Sequence, residues 1–136
     1  NEREKKAVED VYQLLRGAKV DCVAAEDIEA EIWRKYIFNC AYNVLTAHYR
    51  QNVGELRADA KKREEFRRLL QEAYEVGKAK GVHLEEEDIV RHQNRFENKL
   101  ADDATSSLQR DVEDGKHNTE LETFCDTLSV WGESLG

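Results

Sequence analysis

IWRKYIFNCAYNVLTAHY, residues 32–49, decides how the rest of the chain is read. The window carries no acidic side chain, although 37% of the whole sequence is charged. Its length and apolar content predict a helix. With Lys35 at zero and about 100° per residue, Thr46, Asn39 and Asn43 fall within an arc of about 80° beside the lysine. Trp33, Ile37, Phe38, Cys40, Ala41, Tyr42, Val44, Leu45, Ala47 and Tyr49 occupy the other directions, which marks a central, buried helix. A stripe facing water would carry Glu, Lys and Arg, whereas this one carries one cation and two amides. Burying an amide without a partner costs about 1–3 kcal/mol, so these groups must meet a ligand, a partner domain or water. Two readings remain open on periodicity: a ligand-binding cleft, or a polar seam that bonds neighbouring backbone. Asparagine donates and accepts at constant charge, and an ammonium has three donors, a set that suits a small, oxygen-rich anion. Lys35 to Asn43 spans about 12 Å, the scale of a small organic acid.

Outward from this stretch, Asp27 is a natural N-cap for the long helix. Upstream, EREKKAVEDVYQLLRG places Ala7, Val8, Val11, Leu14 and Leu15 at helical spacing and reaches Gly17, a suitable C-cap. Val20, Cys22 and Ala24 then alternate, which allows a short strand near residues 19–23. Downstream, a turn is expected around Gly54. An amphipathic helix follows with Phe66, Leu69, Leu70, Ala73 and Val76 inward, stopped by Gly81. Another starts in EEEDIV with Ile89, Phe96 and Leu100 inward and is interrupted at DDATSS. A short helix from Ser107 to Asp114 ends at Gly115, and a last one runs through Leu121, Phe124, Leu128, Trp131 and Leu135, with Thr119 and Glu122 at capping-box spacing. The expectation is an all-α domain of five or six helices around one core, of a length that suits one domain.

Composition narrows the function classes. There is no proline among 136 residues, so nothing interrupts long helices. A formal net charge of −8 argues against nucleic-acid binding, and KKREEFRR reads as a solvated helix face because Glu interrupts its cations. No apolar run approaches the roughly 18 residues of a membrane span, and no signal peptide is expected. Cys22, Cys40 and Cys125 form no CxxC pair, and reduced thiols in a cytoplasmic protein are the simplest reading. The four histidines show no metal-ligand spacing, so no metal is expected. The chain opens on Asn1 and contains no methionine, which is expected of a fragment or a processed chain.

DIEAEIWRKYIFNCAYNVLTA, GEL, EAYEVGKAKGV and TSSLQRDVEDGKHNTELE follow one another in an order and at gaps that resemble the C-terminal domain of the ketopantoate reductase (2-dehydropantoate 2-reductase) family over nearly the whole chain. The combination of W-x-K-x-x-x-N-x-x-x-N with S-S-L-Q-x-D and T-E carries the resemblance. It implies a multi-helix bundle of the 6-phosphogluconate-dehydrogenase C-terminal-domain-like type and an NADPH-dependent oxidoreductase of pantothenate biosynthesis. Residues 1–24 would be the end of an N-terminal Rossmann domain or the connector to it, and 25–136 the helical substrate domain. The substrate it implies is a 2-oxo acid. Lys35 falls on the family's catalytic lysine, Asn39 and Asn43 on its substrate-binding asparagines, Ser107 on a serine at the substrate's carboxylate end, and Glu120 on a glutamate that binds the substrate hydroxyl and supports the lysine.

Each assignment has a plainer counterpart. Lys35 could be a snorkelling side chain, Glu120 a first-turn acid favoured by the helix dipole, and Thr105 or Ser106 could replace Ser107. Val44 stands where the family usually has proline, and GKHNTE is one residue longer than the usual spacing. The glycines at 17, 54, 77, 81, 115, 132 and 136 make no G-x-G-x-x-G, so the dinucleotide site is expected elsewhere and this chain alone to be inactive. Other expectations compatible with the same residues are a reductase of another 2-oxo acid or a non-catalytic helical interaction module. Exposed apolar surface on a parted domain would also allow a homodimer.

Overall fold

In the computed structural model, which describes residues 2–116, 129, 130, 132 and 133, six helices follow one another. They are α1 (Glu2–Gly17), α2 (Ile28–Tyr49), α3 (Val53–Ala58), α4 (Ala60–Ala79), α5 (Glu86–Asn98) and α6 (Ser107–Glu113). The expected last helix, with its Thr119 cap and Glu120, lies outside the described residues.

α2 is central, with α4 and α6 packed against it. Asp27 caps it as expected, its carboxylate accepting the Ala30 N–H at 3.0 Å. The core joins Trp33, Ile37, Phe38, Ala41 and Leu45 of α2 to Phe66, Leu70 and Ala73 of α4 and Phe96 of α5. Each fully buried large side chain contributes about 1.5–3 kcal/mol. Gly77 lets α4 approach α2, because a Cβ there would sit 2.7 Å from Leu84 Cδ1 and 3.0 Å from Trp33 Cε3. α5 is tied to α2 by Arg34, whose Nε donates to the buried Asp88 carboxylate at 2.9 Å.

Helix ends follow backbone chemistry. α4 and α6 stop at Gly81 and Gly115 with φ of 85° and 70°, and in each case the next N–H reaches back five residues. The end of α1 differs from expectation. Gly17 remains helical, and the left-handed position is Lys19, with Val20 N–H bonded to the Leu15 carbonyl at 2.9 Å.

No strand occurs among the described residues, so the stretch near 19–23 is irregular rather than extended in a sheet. Its alternation meets no partner edge, and its first amide is spent on closing α1. Gly54 is also not a turn. It lies within α3, which Asn52 and Glu55 cap reciprocally, and the left-handed residue after α2 is Arg50. α1 adds nothing to the core: Val8, Val11 and Leu14 stay exposed, because no described element covers its apolar face.

Candidate functional site

The polar stripe of α2 changes character along its length. Lys35 is exposed, Asn39 half-buried, Asn43 only 6% exposed, and Thr46 wholly buried. α2 is therefore not buried on all sides as its composition predicts. Ile28 and Ile32, which fall about 20° and 60° from Lys35 around the helix, are exposed by 64% and 60%. Lys35 thus stands on an apolar ledge at one end, and the two amides descend from it into the domain.

Thr46 leaves the candidate ligand-facing set. Its hydroxyl lies 2.7 Å from both the Tyr42 carbonyl and Ser106 Oγ, a bond that seats α6 on α2. Asn43 is different: among the described residues its carboxamide has no hydrogen-bond partner. Tyr42 borders the stripe, half-buried and stacked on Phe38 at 5.5 Å between ring centroids. Burial pushes its phenol above the ordinary tyrosine value, against the opposing pull of Arg110 and Arg95, so the hydroxyl stays protonated at neutral pH.

The three hydroxyl residues before α6 separate cleanly. Thr105 accepts from Arg110 Nη1 at 3.0 Å. Ser106 is buried and accepts from the Gln109 N–H at 3.0 Å as the cap of α6. Ser107, the first residue of α6, is exposed, and its hydroxyl has no partner among the described residues. The Thr46–Ser106 bond places Ser107 near the buried end of the stripe. Glu120 lies outside the described residues.

Two features went unread in the sequence. Gln109 is 4% exposed, and its Oε1 is enclosed without a partner among the described residues, while Nε2 donates to Glu113 at 3.0 Å. Its place beside Leu108, in an apolar register, was the available signal. Arg57 gathers three bonds from distant chain segments, which no local pattern announces. A groove of about 730 Å³ lies away from the stripe, between Tyr49 and α4, where Lys61, Glu64, Glu65 and Arg68 line it. Among the described residues, no group of three His, Cys, Asp or Glu side chains could hold a metal, and no helix is long and apolar enough to cross a membrane.

Comparison with known proteins bears on this geometry. Residues 27–136 match the family model described as ketopantoate reductase PanE/ApbA C terminal. A 2-dehydropantoate 2-reductase of Salmonella typhi is 31% identical over 110 residues, which cover 81% of this chain and 35% of that protein. The chain therefore spans about a third of that relative's length. The crystal structure of 2-dehydropantoate 2-reductase from Geobacter metallireducens superposes with a TM-score of 0.82 at 22% identity, covering 96% of this chain and 43% of that one. A structure described as dimeric ketopantoate reductase from Staphylococcus aureus superposes at 0.70 with 20% identity, covering 96% and 52%. These two likenesses establish the fold.

Proposed function

Because the chain belongs to the ketopantoate reductase C-terminal domain family, we propose that it forms the substrate-holding and proton-donating half of an NADPH-dependent 2-dehydropantoate 2-reductase that makes pantoate for coenzyme A biosynthesis. The observation that carries this reading is the stripe itself: an exposed ammonium on an apolar ledge, followed by a nearly buried carboxamide with no partner among the described residues. A polar seam would satisfy its own amides, whereas a substrate site leaves them for the ligand.

In this reading, Asn39 and Asn43 bind the substrate's oxygens and Ser107 donates to its carboxylate end. Glu120 binds the substrate hydroxyl and supports Lys35. As hydride adds to the keto carbon, a C–H bond forms and the carbonyl π pair moves onto oxygen. Lys35 Nζ, aimed at that oxygen, stabilises the growing charge and passes it a proton, leaving the alcohol. Bound NADPH would supply the hydride. This chain's residues do not fit the dinucleotide: its glycines form no phosphate-cradling loop, and the described residues hold no strand to precede one. We assign the cofactor to a Rossmann domain whose end or connector is residues 1–24, with residues 25–136 as the substrate domain. The exposed apolar side chains of α1 would pack within that domain, and Ile28 and Ile32 are apolar surface it would cover, drying the region around Lys35. Cytoplasmic localisation and a homodimer belong to the same proposal.

The test is NADPH oxidation with 2-dehydropantoate by the protein carrying both domains. Lys35→Ala should lower kcat by about 10²–10⁴-fold with the NADPH KM unchanged. An unchanged rate would reject the role of Lys35. Full activity on a different 2-oxo acid, with none on 2-dehydropantoate, would reject the substrate but keep the chemistry.

A further inference from the structure

α3 is only six residues long, yet it draws distant parts of the chain together. In its last turn, Arg57 donates from Nε to the Phe96 carbonyl at 2.6 Å, from Nη2 to the Leu100 carbonyl at 2.6 Å, and from Nη1 to the Asp102 carboxylate at 2.7 Å. At its start, the Val53 and Gly54 N–H groups donate to the carbonyls of Ala104 and Asp102 at 3.1 and 2.8 Å. Gly54 permits that approach, since a Cβ there would stand 2.9 Å from Asp102 Cβ. These bonds fasten the connector between α5 and α6, and the connector leads directly into Ser106 and Ser107. A planar fork spreads its donors over three nitrogens and so reaches two carbonyls and a carboxylate that lie apart, whereas a lysine's three donors leave a single atom.

We propose that Arg57 is a positioning residue for the substrate site, fixing the direction in which Ser107 presents its hydroxyl to the anionic end of a 2-oxo acid. This rests on the reading of Ser107 as a substrate contact. Ser106 is pinned to Thr46 by one hydroxyl bond, and the connector before it is held to α3 through the Ala104 and Asp102 carbonyls. The Arg57 clamp adds bonds at Phe96, Leu100 and Asp102, which fix the connector's first half and with it the direction from which the chain enters α6. Arg57 reaches the substrate only through the connector. Its loss therefore weakens binding of the oxo acid and leaves the proton-transfer step as it was.

The experiment is a double-mutant cycle in the two-domain enzyme. Arg57→Ala and Ser107→Ala should each raise the KM for the oxo acid by about tenfold, the loss of one hydrogen bond to a charged group. The NADPH KM and the pH profile of kcat should stay at wild-type values. The double variant should be no more than about twofold worse than the weaker single, because both act through one contact. Arg57→Lys should recover only part of the loss. Asp102→Ala, which removes one bond at an 82% exposed carboxylate, should raise KM by about twofold and show the same non-additivity. It decides the matter if Arg57→Ala fails to fold. Penalties that multiply to about a hundredfold overturn the proposal. So does a wild-type KM in Arg57→Ala when Ser107→Ala is impaired. If Ser107→Ala is unimpaired while Lys35→Ala is inactive, the serine assignment and this proposal fall together and the role of Lys35 stands.

Discussion

Replacing Asn43 by leucine separates a substrate site from a structural seam, because the two readings predict opposite signs for stability. The carboxamide is held in a position only 6% exposed, with no hydrogen-bond partner among the described residues. A fully enclosed unpaired amide costs about 1–3 kcal/mol, and Asn43, whose polar atoms are not among those fully enclosed without a partner, carries only part of that cost. Leucine has the same γ-branched outline but is bulkier; removing that cost and adding apolar burial outweighs the crowding, so the domain should gain up to about 2 kcal/mol. For a domain of this size that raises Tm by up to about 8 °C. Asn43→Ala should be neutral or slightly stabilising, since better helix propensity offsets the lost contacts. Leu45→Ala, two residues away in the buried core, should cost about 2–5 kcal/mol and shows that the assay resolves such changes. Thermal unfolding followed by circular dichroism measures stability, and the KM for the oxo acid, expected to rise by about tenfold, measures function. If both Asn43→Leu and Asn43→Ala melt lower than wild type by more than about 1 kcal/mol, the amide is satisfied within the protein and the reasoning fails.

Two further predictions concern the packing that supports the site. His92 lies against Phe38 at 5.4 Å between ring centroids with Nε2 enclosed and without a partner among the described residues, and burial lowers its pKa despite the raising influence of the Arg34 backbone and Asp88. Its contribution is present above the unfolded value of about 6.5 and is lost as pH falls from there through the depressed folded value, with a slope of at most about 1.4 kcal/mol per pH unit. His92→Phe should flatten that acid limb in urea unfolding measured from pH 7 to 5, and an unaltered limb would place the titration elsewhere. Gly77→Ala gains about 1 kcal/mol of helix propensity but forces a methyl against Leu84 and the Trp33 ring. Overpacking costs about 1–3 kcal/mol, so a net loss of up to about 2 kcal/mol is expected in denaturant titration, and a stabilised variant would show that the contact relaxes freely.

The helical class was legible because its signals are local. Asp27, Gly81 and Gly115 act through bonds that reach no more than five residues, and the inward faces of α4 and α5 follow from a period of 3.6. Where local signals misled, a competing local bond had won. Lys19, not Gly17, takes the left-handed position, and the Asn52–Glu55 box draws Gly54 into a helix. The strand allowed near 19–23 finds no edge to pair with. The candidate stripe was legible too, as a face, but its exposure was not. Periodicity tells which residues share a side and is silent on what covers it.

Sequence alone therefore determined the α-helical architecture, the helix that carries Lys35, Asn39 and Asn43, and the lack of a dinucleotide loop in this chain, all of them properties of neighbouring residues. Tertiary structure decided that Lys35 stands in the open while Asn43 is nearly enclosed. It also decided that Thr46 and Ser106 serve the fold and leave the Ser107 hydroxyl available, and that Arg57 grips the connector. Those outcomes rest on bonds between residues 60, 39, 43 and 45 positions apart, and contacts at such separations exist only once the chain has closed its loops.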